Sequence, residues 1–307
     1  MSDGVRLARR QDVLRRRAAI IQGIRRFFIE RDYLEVETPH RIPVPIPETY
    51  IDAVPSESCF LHTSPEICMK RMLAAGYPRI FQICRCFRKG ERGNRHLPEF
   101  TMLEWYRVKS DYFELMSECE DLLIDLTGEL WRHERLVWQG RTVDLRKPWD
   151  RLTVKEAFGR YASSDTADAL KKGLFDEVMA FEIEPRLGLD KPVFLYDYPV
   201  SLGALARRKA GHPDLAERFE LYIGGVELVN AFSELTEVAE QRERFQKDEA
   251  VRRSLGKSPY SMPEKFLQAL PQMPESAGAA LGVDRVVMLL TGATQIDDVV
   301  AFTPEEL

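Results

Sequence analysis

From Asp12 to Asp32 the apolar residues Leu14, Ala18, Ile21, Ile24 and Phe28 recur at three- and four-residue spacing, with arginines filling the other face. That pattern predicts an amphipathic helix. The period changes to two at Leu34-Glu35-Val36-Glu37, a half-buried strand that Pro39 ends. Between Arg79 and Tyr106, two strand-like stretches flank the polar loop Arg88 to His96, which predicts a long hairpin. Its first strand carries Gln82, Cys84, Cys86 and Arg88 on one face, and its second carries Met102, Glu104 and Tyr106. A second hairpin is sharper: Arg218 to Ile223, a Gly224-Gly225 turn, then Val226 to Asn230. Pairing Ile223 with Val226 sets Tyr222 opposite Glu227 and Glu220 opposite Val229, so Glu220 and Glu227 share a face at roughly 7 to 8 Å. Ser276 to Leu290 predicts a strand of small residues followed by a helix that Gly292 stops. The stretch from Thr127 to Pro192 predicts a hairpin at Gln139-Gly140 and a capping-box helix at Thr153 to Glu156, and carries no functional signal. No internal repeat or low-complexity tract is present, and the proline-rich stretch Ile42 to Pro47 reads as a short rigid loop.

Composition narrows the class. With 307 residues, 44% apolar and 30% charged, the chain supports one large core or two modest domains. No run approaches the ~20 apolar residues of a membrane span. The stretch Met1 to Arg17 is polar and basic, unlike a secretion signal, and predicts a cytoplasmic protein. The five cysteines, Cys59, Cys68, Cys84, Cys86 and Cys119, include no Cys-x-x-Cys pair. They suggest neither a disulfide framework nor a zinc site, and read as reduced, mostly buried thiols. A net charge of -5 disfavours a broad basic surface that wraps nucleic acid, while leaving room for a local basic patch.

The candidate chemistry is that of phosphates. Two neighbouring carboxylates suit magnesium, which takes one or two carboxylates plus substrate phosphates. Arg285 falls in the first turn of its predicted helix, where the dipole and the guanidinium both favour an anion. Small thiols beside Arg88 leave space for a ligand.

Taken in order, three of these blocks resemble the signature motifs of the class II aminoacyl-tRNA synthetases, and within them the lysyl branch. Phe27 to Pro39 (FFIERDYLEVETP) resembles the first motif, Phe87 to Tyr106 (FRKGERGNRHLPEFTMLEWY) the second, and Gly278 to Leu289 (GAALGVDRVVML) the third. The resemblance implies an α+β fold with an antiparallel sheet of about six or seven strands flanked by helices, and a homodimer with the first motif at its interface. It assigns Arg88 to the α-phosphate of ATP, Arg285 to the γ-phosphate, His96 to the phosphate region and Phe100 to the adenine. Lys89, Gly90, Leu97, Leu228 and Gly282 complete the implied ATP site. Glu220 and Glu227 become magnesium ligands. Ser64, Pro65, Glu66, Tyr106, Glu234 and Ala280 match positions that hold the amino acid, with glutamates facing its two ammonium groups. Buried carboxylates of that kind select a diamine, because an unmatched buried charge is costly.

The first motif begins too early to leave space for the anticodon-binding barrel of lysyl-tRNA synthetases, which needs on the order of 100 residues. A single catalytic domain over 1–307 is therefore expected, without tRNA as a partner. This layout resembles the elongation factor P (R)-β-lysine ligases, which transfer activated β-lysine to a lysine side chain of that translation factor. Ala280 agrees, since the ligases carry alanine where lysyl-tRNA synthetases carry glycine. The implied reaction has two steps: the carboxylate of lysine or (R)-β-lysine attacks the α-phosphate of ATP, and an acceptor amine then attacks the adenylate. Arg88 and Arg285 would counter the charge that shifts onto the phosphates. Two departures stand out: the family's Arg-x-Glu reads Arg88-Lys89-Gly90 with Glu91 one place late, and Leu97 stands where relatives often have asparagine. They keep open a degenerate, amino-acid-sensing paralogue, and a third reading is an enzyme charging tRNA or another acceptor.

Overall fold

The structure is a computed structural model that describes residues 3–131 and 134–307. Its centre is a nine-stranded sheet built from β1 (Leu34–Glu35), β2 (Arg79–Phe87), β3 (Glu99–Val108), β4 (Asp150–Thr153), β5 (Val193–Pro199), β6 (Arg208–Lys209), β7 (His212–Ile223), β8 (Val226–Ser233) and β9 (Ser276–Gly282). The order is β1-β2-β3-β9-β8-β7-β5-β4, with β6 paired to β7. The pairs β1–β2 and β4–β5 are parallel and the others antiparallel. The expected α+β fold is present, but with nine strands rather than six or seven. The additional ones are two- and four-residue edge strands, too short to leave a period in the sequence.

The first helix, α1, runs from Asp3 to Ile29, nine residues earlier than its apolar spacing predicts. Its wholly buried positions Ile20, Ile24, Phe27 and Phe28 lie toward its C-terminal end. The earlier turns are held by polar contacts instead: Arg10 reaches Glu306 at 2.7 Å and Arg17 reaches Asp284 at 2.5 Å. Phe28 stacks on Phe81 of β2 at 5.0 Å and tilts against Trp105 of β3 at 5.3 Å. Each such buried aromatic stabilises the fold by roughly 3 kcal/mol. With helix α3 (Tyr112–Trp131) and helix α6 (Val283–Thr291), α1 covers one face of the sheet. On the other side, helix α2 (Glu66–Ala74) and the helix Glu264–Ala269 bury Ile67, Leu73, Phe266 and Leu267 with Tyr106. A further apolar cluster joins Leu152, Phe158, Phe175 and Tyr222 under the helical segments that follow β4.

The half-buried strand expected at Leu34 to Glu37 is corrected to two residues. Leu34 and Glu35 are both exposed, and Val36 is the buried one. The hairpin at Gln139-Gly140 forms, with both residues at positive φ, and the Thr153–Glu156 capping box closes as expected.

Candidate active site

The β2–β3 hairpin forms as expected and sets Gln82 opposite Glu104, Cys84 opposite Met102 and Cys86 opposite Phe100. The β7–β8 hairpin departs from its expected register. Tyr222 faces Glu227 as anticipated, but an irregularity beyond that pair sets Leu221 opposite Val229 and Glu220 opposite Asn230. A two-residue Gly-Gly turn fixes only the first pairs, and the extra residue shifts the rest. Glu220 and Glu227 nevertheless line one cavity of about 600 Å³, together with Arg88, His96, Phe100 and Arg285.

Arg285 is the third residue of α6. Its Nη1 donates to the Glu227 carbonyl at 2.9 Å and carboxylate at 3.1 Å, and its Nη2 meets His96 Nε2 at 2.6 Å. A guanidinium only donates, so His96 accepts there and carries its proton on Nδ1. Burial and the Arg285 charge both depress its pKa. The preceding residue, Asp284, is buried and accepts from the Thr101 amide at 2.7 Å while pairing with Arg17, so the start of α6 is tied to both β3 and α1. On the opposite wall, the Arg88 guanidinium sits 5.0 Å from the Phe100 ring centroid. The loop turns at Gly90, whose φ of +78° strains any other residue type except asparagine or aspartate. That turn brings Glu91 to the cavity, 3.7 Å from Arg88. Leu97 is buried against the main core and also lines the cavity, as do Leu228, Gly282 and Ala280. Lys89 is exposed and does not line it; its backbone amide donates to the Asp52 carbonyl at 2.7 Å.

Glu220 is held by three donors: Tyr198 and Tyr222 hydroxyls at 2.6 Å each and Arg218 at 2.5 Å. Burial raises its pKa against the pull of Arg218. A third carboxyl, Glu184, is drawn in through Tyr222 at 3.4 Å and is pushed up to about 7 by burial, with Glu220 and Glu227 adding to the shift. Hard oxygen donors facing a cavity between two arginines fit a magnesium ion and phosphates.

Two residues farther along β3 and β9 the surroundings change. Ser64 donates to Glu104 at 2.6 Å and accepts from the Glu66 amide at 3.0 Å, which fixes the start of α2. Lys70, one turn on, is wholly buried, with Nζ 2.5 Å from both Glu66 and Glu234. Among the described residues, neither oxygen of Glu234 accepts a well-aligned hydrogen bond. Burial pushes Glu234 up to about 8 in spite of Lys70, and raises Glu104 well above the carboxylate range, with Glu66 adding to it. Tyr106 completes the wall against Gly278. Three carboxyls against one ammonium leave a site short of positive charge, which a diammonium ligand would supply.

Sequence reasoning placed Glu104 on the correct face but gave it no role, and passed over Lys70, Glu184 and Arg218. The Glu66/Lys70 spacing of four was a readable signal. Glu48 was also missed: it lines the cavity, and burial pushes it up to about 7 against the pull of Arg88.

The family of class II tRNA synthetases for D, K and N matches residues 3–306. An elongation factor P--(R)-beta-lysine ligase of Enterobacter sp. (strain 638) is 41% identical, with 94% of each chain covered. Proteins of the same name from Pectobacterium atrosepticum and Sodalis glossinidius are 38% and 42% identical, each with 95% of both chains covered. With the second and third of its motifs lining one cavity and a match spanning nearly its whole length, the chain belongs to the class II tRNA synthetase family.

Proposed function

We propose that this chain is an ATP-dependent amino-acid ligase that activates (R)-β-lysine or lysine as an adenylate and transfers it to a lysine side chain of elongation factor P. The observation that carries this reading is the adjacency of two chemically opposite compartments. One holds Arg88 and Arg285 with Glu220 and Glu227, and the other holds Glu66, Glu104 and Glu234 around Lys70. The names of the relatives supply the acceptor.

In this reading, the acidic compartment fixes the two ammonium groups and aims the substrate carboxylate along β3 and β9 toward Arg88. Arg88 and Arg285 stabilise charge on the phosphates as the α-phosphorus is attacked, and neutral His96 accepts from Arg285 and so holds the guanidinium in place. Magnesium bound by Glu220 and Glu227 would neutralise phosphate charge. We further propose that the chain acts as one catalytic domain, in the cytoplasm, as a homodimer joined near β1, and without tRNA.

The test is ATP–pyrophosphate exchange with (R)-β-lysine, with α-lysine and with no amino acid, followed by intact-mass analysis of elongation factor P and of tRNA. Exchange with a lysine and a mass gain on elongation factor P alone support the reading. Charged tRNA would replace it with the synthetase reading, and absence of exchange with any amino acid would point to a degenerate paralogue.

A further inference from the structure

Beneath the floor of the cavity, three segments bring soft ligands together. Cys84 and Cys86, two residues apart on β2, present their sulfurs on one face at 3.9 Å from each other. Met102, opposite Cys84 on β3, places its thioether sulfur 3.8 Å from Cys86 Sγ. His62 lies beside β2, its backbone amide donating to the His40 carbonyl at 2.8 Å and its carbonyl accepting from Phe87 at 3.0 Å. Ligand atoms of His62, Cys84 and Cys86 all fall within 4.8 Å of one another, and all three residues are buried.

The imidazole decides what this cluster is suited for. His62 Nε2 lies 2.7 Å from the Arg85 carbonyl, which only accepts, so the proton sits on Nε2 and Nδ1 carries a bare lone pair. Nδ1 is buried with no hydrogen-bond partner among the described residues. Metal-binding histidines are oriented in the same way, with the second ring nitrogen tied to a carbonyl or carboxylate. With metal–sulfur bonds of about 2.3 Å, a tetrahedral site sets its sulfurs about 3.8 Å apart, close to the spacing here.

We propose that His62, Cys84 and Cys86 form a binding site for one thiophilic d10 cation, zinc(II) or copper(I), with Met102 available as a fourth, soft ligand. Thiolate and imidazole suit both ions, while a thioether favours copper(I). The site adjoins the cavity. Phe100 and Ala280 pack on the thiol cluster and, like Met102, line the cavity. An occupant would therefore stiffen the wall on which the nucleotide is proposed to rest.

The reduced full-length chain is titrated with cobalt(II), as a spectroscopic stand-in for zinc, and separately with copper(I) against a chromogenic chelator. Wild type is compared with Cys84→Ser, Cys86→Ser, His62→Ala, Met102→Leu and the control Cys119→Ser, whose thiol lies on α3. One equivalent per chain is expected, with thiolate-to-cobalt charge-transfer absorption in the zinc arm. Affinity should fall at least ten-fold in the Cys84 and Cys86 variants and stay unchanged in Cys119→Ser. Weaker copper(I) binding in Met102→Leu would assign copper(I) with Met102 as its fourth ligand, and copper(I) binding unaffected by Met102→Leu would leave the three-ligand site to zinc. Absence of stoichiometric binding of both ions, or binding indifferent to Cys84 and Cys86, overturns the site. Should the variants misfold, alkylation of wild type answers the same question. With labelling continued until Cys84 and Cys86 of the ion-free chain react, the bound ion must protect both while leaving Cys59 and Cys68 reactive, and equal labelling with and without the ion then overturns the proposal.

Discussion

Gly278 lies so close to the Tyr106 ring that a Cβ on it would sit 2.2 Å from Tyr106 Cε1 and 2.7 Å from Glu234 Oε1. No real Cβ tolerates either distance, so glycine here is what lets Tyr106 and Glu234 share one wall. Gly278→Ala should push both side chains out of place. The expected result is a rise of ten-fold or more in KM for the amino acid in pyrophosphate exchange, about 1.4 kcal/mol or more, with ATP affinity changed less than two-fold by calorimetry.

Lys70 balances buried carboxylates on both sides. Removing one partner of such a cluster strands buried charge and costs about 3–5 kcal/mol. Lys70→Met should lower unfolding stability in urea by about that amount at neutral pH, and Lys70→Met with Glu66→Gln should recover much of it. Equal stability of Lys70→Met and wild type would show that the ammonium compensates nothing.

The sign of the pH dependence follows from Glu234. Its folded-state pKa, about 8, lies above the ordinary glutamate value of 4.5. Its contribution to stability is therefore fully present below about 4.5 and is lost as pH rises through about 8. Tm should decline over this window in wild type and decline less in Glu234→Gln. A bound ammonium group favours the ionised carboxyl, so amino-acid binding should release a proton and tighten with rising pH over the same range. Calorimetry in two buffers of different ionisation enthalpy measures that proton directly.

Arg285 and Glu227 are paired before any ligand arrives. Arg285→Ala should reduce exchange by about 10²–10³-fold, the scale of losing one preorganised donor to a charged transition state. Glu227→Gln should raise the magnesium concentration needed for half-maximal exchange. A variant at either position with wild-type exchange would remove that residue from the proposed chemistry.

Which parts of this molecule were legible in the sequence depends on how local the determinants are. The faces of β2 and β3 were readable because side chains alternate over nine and ten residues, but a slip of two residues would keep those faces, so their pairing was not. The β7–β8 register was readable only near its turn, since the irregularity between Leu221 and Tyr222 leaves no mark in composition. Arg88, His96, Phe100 and Arg285 stand in contiguous motifs, and the fold brings all four to one cavity. Glu184, which reaches the same carboxylates from a separate helical segment, has no sequence neighbour that signals it. The cysteines show the limit most clearly. Spacing along the chain argued against a metal site, whereas the cluster takes its histidine from outside the strand that bears both thiols, a relation that only the fold creates.

The ion pair between Arg17 and Asp284 places α1 in direct contact with the residue preceding Arg285. The same helix leads, five residues past its end, into β1 with its exposed Leu34 at the sheet margin. One helix thus touches the edge of the cavity and leads to the margin. Linkage makes any free energy transmitted between them reciprocal: an occupant of the cavity that steadies Arg285 would steady the margin, and whatever covers Leu34 would strengthen the binding of that occupant by the same factor.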